Sequence, residues 1–161
     1  MTVKLAINGF GRIGRCVLRA WIESKRDDGE IVAINDLVPT ETNAHLLQFD
    51  SVHGRFNADV RVEGDKLIVD GHEIRVSAER DPASLDWGDV DVALECTGIF
   101  KSREKASLHL KNGAQRVLIS APASDADKTI VFGVNHDVLT PADRIVSNAS
   151  CTTNCRATMA R

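Results

Sequence analysis

The feature that most constrains this chain is a glycine-rich turn between an apolar strand and an amphipathic helix. Residues 3–8 form a nearly continuous apolar run, and a G-x-G-x-x-G pattern follows at residues 9–14. Apolar residues then recur at helical spacing up to Ile22, and a second apolar run occupies residues 30–35. This order predicts a βαβ unit, and a parallel sheet follows because parallel strands need a crossover helix.

The three glycines suit a dinucleotide pyrophosphate. Gly9 permits a tight turn, Gly11 lets the backbone approach the phosphates, and Gly14 lets the helix pack against the strand. The phosphates would then meet the positive end of the helix, where Arg12 and Ile13 contribute their backbone amides.

Asp36 ends the second predicted strand, 22 residues after Gly14. A carboxylate there can accept hydrogen bonds from the adenosine ribose and would repel a 2′-phosphate, so NAD is favoured over NADP. A bare glycine motif is equally consistent with a structural turn. The order of strand, turn, helix and acidic residue favours the dinucleotide interpretation.

The rest of the chain continues the α/β pattern. We predict helices at residues 42–49 and 101–110, an antiparallel meander at 59–77, and strands at 90–95, 116–120, 129–134 and 144–147. The predicted fold class is therefore α/β, a Rossmann-type doubly wound and mainly parallel sheet with an antiparallel meander insertion.

Composition excludes several classes of partner. The 161 residues are 43% hydrophobic, enough for one domain with a core, and their net charge of -3 offers no basic surface for nucleic acid. No apolar run approaches the roughly 18–20 residues that span a bilayer, and the first residues do not resemble a signal peptide. We expect a cytoplasmic protein without nucleic-acid or membrane partners.

The four cysteines show neither a disulfide framework nor zinc-ligand spacing, so no metal site is predicted. Cys151 follows Ser150, which fits a helix N-cap, and a thiol at a helix N-terminus is more reactive. Cys16 and Cys96 are expected in the core. Cys155 lies one turn after Cys151 and is expected to be structural, although oxidative pairing of the two is an alternative.

Two runs, residues 8–15 and 150–155, resemble phosphorylating glyceraldehyde-3-phosphate dehydrogenases. The resemblance extends over residues 2–155 and includes residues 33–36, 50–56, 95–98, 119–122 and 133–136. It implies an NAD-binding Rossmann domain at residues 1–150 and the first turns of a catalytic-domain helix at 151–161. The remainder of the catalytic domain is then absent from this chain.

The resemblance also implies a glycolytic reaction, the oxidation of glyceraldehyde 3-phosphate to 1,3-bisphosphoglycerate. The Cys151 thiolate would add to the aldehyde, hydride would pass to NAD, and inorganic phosphate would attack the resulting thioester. Ser150 and Thr152 would help to hold that phosphate. The implied partners are the phosphorylated aldehyde, inorganic phosphate and further copies of the chain, since the family forms homotetramers.

Four more residues are assigned to the NAD site. By resemblance, Arg80 would lie near the adenine and Ser120 would line the cofactor site. Without the resemblance, Arg80 would be an ordinary solvated charge and Ser120 a strand-end residue. Thr97 and Gly98 follow a buried strand and should lie at the carboxyl edge of the sheet, where such folds bind ligands.

The chain lacks the family's catalytic histidine, which belongs to the second domain. His53 and His136 fall in segments that the family uses elsewhere, so we expect both to be surface or structural residues. The chain alone is expected to bind NAD without full activity. Two alternatives are erythrose-4-phosphate dehydrogenase, which Asp36 disfavours, and a non-catalytic NAD-binding module.

Overall fold

A nine-stranded sheet organises the computed structural model, which describes residues 2–161. The strands are β1 (Val3–Asn8), β2 (Gly29–Asn35), β3 (Phe49–Asp50), β4 (Gly54–Arg55), β5 (Val60–Glu63), β6 (Lys66–Val69), β7 (His72–Ser77), β8 (Val90–Glu95), β9 (Ala114–Ile119), β10 (Lys128–Thr129) and β11 (Ile145–Ser147). The α-helices are α1 (Arg12–Ser24), α2 (Thr40–Gln48), α3 (Arg103–Lys111) and α4 (Cys151–Met159). The predicted α/β class is confirmed.

The strand order is β10-β11-β9-β8-β1-β2-β7-β6-β5, with β3 and β4 forming a separate small hairpin. From β10 to β7 all neighbours are parallel, whereas β5, β6 and β7 pair antiparallel. The predicted meander is therefore confirmed. The chain leaves β1 toward β2 on one side and returns through β8 on the other, which places the topological switch point beside β1.

The carboxyl ends of the parallel strands are level with one another. Register pairs connect one residue per strand across six strands: Ser147, Ile119, Glu95, Asn8, Asn35 and Ser77. Every segment that follows these residues therefore begins at the same edge of the sheet.

The sheet is covered on both faces. On β1, Ile7 belongs to a core cluster with Phe10 and Leu18, while the neighbouring Ala6 belongs to another cluster with Trp87. Ala6 and Ile7 are both fully buried. Because successive strand residues point to opposite faces, β1 has no solvated face, which explains its nearly continuous apolar sequence.

One predicted strand was wrong. Residues 129–134 were expected to be extended, but the strand ends at Thr129. Ile130 and Val131 are nevertheless buried. The Asn135 side chain accepts a hydrogen bond from Val131 N at 2.8 Å and donates to Thr129 O at 3.1 Å, so this segment is a loop whose backbone groups pair with a side chain.

The other differences are shifts of element ends. The helix expected at 42–49 spans 40–48, and the one expected at 101–110 spans 103–111. Ser102 starts the latter helix, since its hydroxyl accepts from Lys105 N. The strands expected at 116–120 and 144–147 span 114–119 and 145–147. None of the helices in residues 2–161 is both long and apolar enough to cross a membrane.

Candidate functional site

The glycine turn after β1 is tightly packed at two positions and open at the third. Gly9 has φ +90°, and a Cβ there would lie 2.8 Å from Thr97 N. A Cβ at Gly14 would collide with the Gly9 carbonyl oxygen. A Cβ at Gly11 would meet no atom within 4 Å. The turn therefore needs glycine sterically at residues 9 and 14, whereas the space over Gly11 is free for a ligand.

The N-terminus of α1 faces this free space. Gly11 is the N-cap residue, and no side chain caps the helix. The first amides of a helix have no partner within the helix, so this end suits an anion. The opening and the uncapped helix end have the geometry to take a dinucleotide pyrophosphate. The contact of the Arg12 and Ile13 backbone amides with it remains a prediction.

Asp36 closes one side of the turn. Its Oδ2 accepts from Phe10 N at 2.6 Å and its Oδ1 from Val38 N at 2.9 Å. These two bonds fix the carboxylate while each oxygen keeps a free lone pair. Such a carboxylate can accept hydrogen bonds from two ribose hydroxyls.

A cavity of about 450 Å³ opens beside the turn, within the usual range for ligand pockets. Five of the predicted cofactor residues line it: Gly9, Gly11, Asp36, Arg80 and Thr97. A larger cavity of about 520 Å³ includes Gln48 and Asp70 in its lining but none of the predicted site residues. The smaller cavity is the candidate cofactor site because it lies at the carboxyl edge of the sheet beside the switch point.

Five other predicted cofactor residues do not line this cavity: Arg12, Ile13, Gly14, Gly98 and Ser120. The Arg12 guanidinium is turned toward Asp50, at 2.9 Å. The pKa of Asp50 is well below its ordinary value because the amides of His53 and Val52 donate to it, with Arg12 adding to the effect. Arg12 can therefore contribute its backbone amide to a phosphate, while its side chain holds the loop.

Ser120 lies next to Cys96 rather than on the cavity wall. Its backbone N donates to Glu95 O at 3.0 Å, and its side chain is near enough to the Cys96 thiol to affect the pKa of that thiol. Burial raises the pKa of Cys96 to about 11, although the neighbouring Ser120 side chain acts in the opposite direction. Cys96 is thus a protonated thiol that is half-buried rather than fully in the core, as had been expected, and it lines the cavity.

Seven lining residues were not predicted: Asn8, Asn35, Leu37, Glu79, Cys96, Ile99 and Phe100. A sequence signal exists for two of them, because the apolar strands β1 and β2 both end on asparagine. A polar residue that ends a buried parallel strand lies at the ligand-binding edge. Leu37, Ile99 and Phe100 add apolar surface suited to the face of an aromatic ring.

Cys151 starts α4, as predicted, and is exposed. Ser150 caps the helix by accepting from Thr153 N at 2.9 Å. The preceding Ala149 is buried and has φ +57°, a conformation that is unfavourable for a residue with a Cβ. Because β11 ends in the same row as β1 and β8, this turn presents the thiol at the edge that carries the glycine turn.

Neither histidine considered in the sequence analysis is hydrogen-bonded to this thiol in residues 2–161. Within residues 2–161, the side-chain partner of Cys151 is Thr152 Oγ1, at a long 3.9 Å. His136 Nδ1 accepts from Gly133 N at 3.0 Å, and its ring packs on Phe132. His53 is exposed on the turn between β3 and β4. Residues 2–161 also contain no cluster of three or more side chains that could bind a metal ion.

Comparison with known proteins agrees with this geometry. The family model described as the NAD-binding domain of glyceraldehyde 3-phosphate dehydrogenase matches residues 3–103. Glyceraldehyde-3-phosphate dehydrogenases from Cereibacter sphaeroides, Xanthobacter flavus and Geobacillus stearothermophilus are 62%, 63% and 56% identical to the chain over its whole length. The chain spans about half the length of these relatives, 48%, 49% and 48% respectively. It belongs to the glyceraldehyde-3-phosphate dehydrogenase family and carries that family's NAD-binding domain.

Proposed function

We propose that this chain supplies the cofactor site and the nucleophile for the phosphorylating, NAD-dependent oxidation of glyceraldehyde 3-phosphate to 1,3-bisphosphoglycerate. The observation that carries the proposal is the level row of strand ends. It brings the glycine turn after β1 and the α4 N-terminus after β11 to one edge of the sheet. Cofactor and nucleophile must be neighbours for hydride transfer from an adduct on the thiol.

In this proposal, NAD lies with its pyrophosphate over Gly11 and the amides of Arg12 and Ile13, and with its ribose on Asp36. Arg80, which lines the cavity together with Asp36, is placed beside the adenosine, and Thr97 and Ile99 also line the cavity. Gly98 follows Thr97 in the same segment, and Ser120 lies beside the end of β8, where its backbone N donates to Glu95 O. When bound, NAD accepts a hydride.

The thiol chemistry belongs to Cys151. Its thiolate forms a C–S bond to the aldehyde carbon, and the hydride leaves that carbon to give a thioester. Inorganic phosphate displaces the sulfur and releases the acyl phosphate, which regenerates the thiolate. Ser150 and Thr152 flank the thiol on the α4 N-terminus, a position where hydroxyls and backbone amides can hold a phosphate. Residues 1–150 then form the NAD-binding domain, and residues 151–161 begin a catalytic helix.

The alternatives differ in their requirements. Erythrose-4-phosphate dehydrogenase would share the turn and the thiol, and the relatives named above favour the triose enzyme. A non-catalytic NAD-binding module would have no need of a reactive Cys151.

Thiol labelling distinguishes the enzymatic proposal from the binding module. Brief treatment with substoichiometric iodoacetamide, followed by peptide mass spectrometry, should label Cys151 first, because it is exposed at a helix N-terminus. Cys155 is also exposed but lies one turn after the first residue of α4, away from the free amides of the N-terminus, so it serves as the internal control. Equal labelling of Cys151 and Cys155 would refute the catalytic assignment, and an NAD titration by calorimetry would then show whether the binding module remains.

A further inference from the structure

A buried polar network lies along the row of strand ends, under the NAD cavity. Its members are Asn8, Asn35, Glu95 and His109, none of them more than 4% exposed. They come from β1, β2, β8 and α3. Buried polar groups are costly unless they are fully hydrogen-bonded, so the direction of each bond can be worked out.

Glu95 accepts four hydrogen bonds. Its Oε2 accepts from Asn8 Nδ2 at 2.6 Å and is 2.9 Å from His109 Nε2. Its Oε1 accepts from Thr97 N at 2.8 Å and from the Thr97 hydroxyl. Both oxygens are therefore surrounded by donors.

Trp87 determines the protonation of His109. The indole Nε1–H, which can only donate, lies 3.1 Å from His109 Nδ1. Nδ1 must therefore be the acceptor, and the single ring proton sits on Nε2, which donates to Glu95. His109 is therefore neutral. Three of the four groups that face Glu95 are N–H groups, which can only donate, and the Thr97 hydroxyl, which already accepts from Ile99 N, donates its proton to Oε1, so the ionised carboxylate satisfies all four. The contact between His109 and Glu95 is a neutral-donor hydrogen bond to a carboxylate, without a positive charge.

The opposite end of the network is fixed by the backbone of Glu79. Asn35 Oδ1 accepts from Glu79 N at 2.8 Å and from Ser77 Oγ at 2.9 Å. Asn35 Nδ2 donates to Glu79 O at 2.9 Å and to Asn8 Oδ1 at 2.8 Å. The Glu79 amide and carbonyl thus prevent the Asn35 side chain from turning over. Through Asn8, the chain of donors ends on Glu95.

Both ends of this network border the cofactor. Thr97 follows β8 on one side of β1, whereas Asn35 ends β2 on the other side, so the lining residues at the two ends of the network form two walls on either side of β1. The Thr97 hydroxyl also accepts from Ile99 N at 3.1 Å, which ties the next lining residue to the same point. We propose that Glu95 is a positioning residue of the NAD site, whose ionised side chain holds the two cavity walls in their binding geometry. The inference rests on NAD binding in this cavity.

Replacing the carboxylate by an amide exposes the role of the charge. If the oxygen of Gln at position 95 faced Asn8 and His109, its NH₂ group would face the Thr97 backbone N–H. The opposite orientation would set NH₂ against the two donors of Asn8 and His109, whose directions are fixed. The first orientation loses fewer bonds, so the substitution releases the segment that begins at Thr97.

The main test is therefore Glu95→Gln, with NAD affinity measured by calorimetry. We expect binding to weaken on the order of tenfold, because one buried donor loses its partner and the wall must be reordered. Ile68→Val is the matched control, since Ile68 is a buried core residue of β6 that does not line the cavity. It should lower the melting temperature and leave NAD affinity unchanged.

A second pair of variants works from outside the cavity. His109→Gln can still donate to Glu95 and accept from Trp87, so NAD affinity should stay within about twofold of the parent. His109→Leu can do neither and should weaken NAD binding by several-fold, on the order of the Glu95→Gln effect. If Glu95→Gln fails to fold, this pair decides the question.

Nitrogen NMR of the histidine rings adds a readout that a purely packing role would not change. We expect a neutral His109 with its proton on Nε2, and a Thr97 amide that exchanges faster in Glu95→Gln than in the parent. A doubly protonated His109, or Glu95→Gln with parental NAD affinity and an unchanged Thr97 amide, would overturn the proposal. A parent chain that binds no NAD would instead refute the cofactor site, and the NMR readout would still test the network.

Discussion

Gly11→Ala should separate cofactor binding from stability. Gly11 has φ -69° and ψ -158°, an extended conformation open to any residue, and an added Cβ would meet no atom within 4 Å. Replacing glycine by alanine reduces the conformational entropy of the unfolded chain, which stabilises the folded protein by about 0.4–1 kcal/mol. Losing glycine at an N-cap costs a similar amount, on the order of 0.5–1 kcal/mol. The two effects offset, so the free energy of unfolding should change by less than about 1 kcal/mol.

The effect on NAD should be much larger. The new methyl group would occupy the space over Gly11 through which a phosphate reaches the amides of α1. A hydrogen bond to a charged group contributes about 1.5–3 kcal/mol, so loss of one such bond weakens binding by roughly 10- to 100-fold. Gly11→Ala is thus expected to be a stable protein with a large loss of NAD affinity.

Gly14→Ala is the matched comparison. A Cβ there would collide with Gly9 O and lie 3.0 Å from Ile7 Cγ2, both in the closely packed turn. Overpacking of this kind costs about 1–3 kcal/mol, so stability and NAD affinity should fall together. Urea unfolding and calorimetric titration of both variants provide the measurements. If Gly11→Ala bound NAD like the parent, the pyrophosphate would not lie over Gly11, and the site assignment would be wrong.

Three further predictions concern specificity, turnover and acid stability. Asp36→Ala should weaken NAD binding and reduce the preference of the chain for NAD over NADP. Equal affinity of the parent for both cofactors would contradict the assignment of Asp36. The chain alone should show no phosphate-dependent NADH formation, because no base is hydrogen-bonded to Cys151 within residues 2–161. A general base raises the reaction rate by about 10²–10⁴-fold. Phosphate-dependent activity that disappears in Cys151→Ser would disprove this prediction. Hydrogen bonds from Arg103 and from backbone amides lower the pKa of Asp127 from 3.8 to about 2. The ionised Asp127 therefore stabilises the folded state fully above its ordinary pKa of 3.8, and this contribution is lost as the pH falls toward 2. Over this pH range the free energy of unfolding, measured by urea unfolding, should fall less in Arg103→Gln than in the parent.

The sequence was most informative where one residue type has a single structural use. The glycine pattern predicted β1, the turn and α1 because residues 9 and 14 leave no room for a Cβ. In residues 59–77, apolar and polar residues alternate between glycine-containing turns, a pattern that correctly predicted the antiparallel meander. Ser150 was recognised as a cap because few residues satisfy the first amides of a helix.

Sequence reasoning failed where a side chain, instead of a neighbouring strand, satisfies the backbone groups, and where the partners meet only in the folded chain. The run 129–134 is as apolar as a strand, but Asn135 binds its backbone groups and the chain loops instead. Likewise, the buried Glu95 and His109 look like surface residues in the sequence. Their pairing joins residues 14 positions apart on β8 and α3, and only the fold brings them together.

The turn before Cys151 shows how the sheet also positions the thiol. Helix α4 has no buried residue, so its own packing cannot fix the position of Cys151. The turn does so instead, because Asn148 N donates to Ile119 O at 2.9 Å and Ala149 N to Ser147 Oγ at 3.1 Å. These bonds offset the left-handed conformation of Ala149, which costs on the order of 1 kcal/mol. The thiol is therefore held by the ends of β9 and β11, next to the strands that end at the candidate cofactor cavity. No basic side chain in residues 2–161 is hydrogen-bonded to it. Cofactor binding and chemistry should thus be separable in this chain.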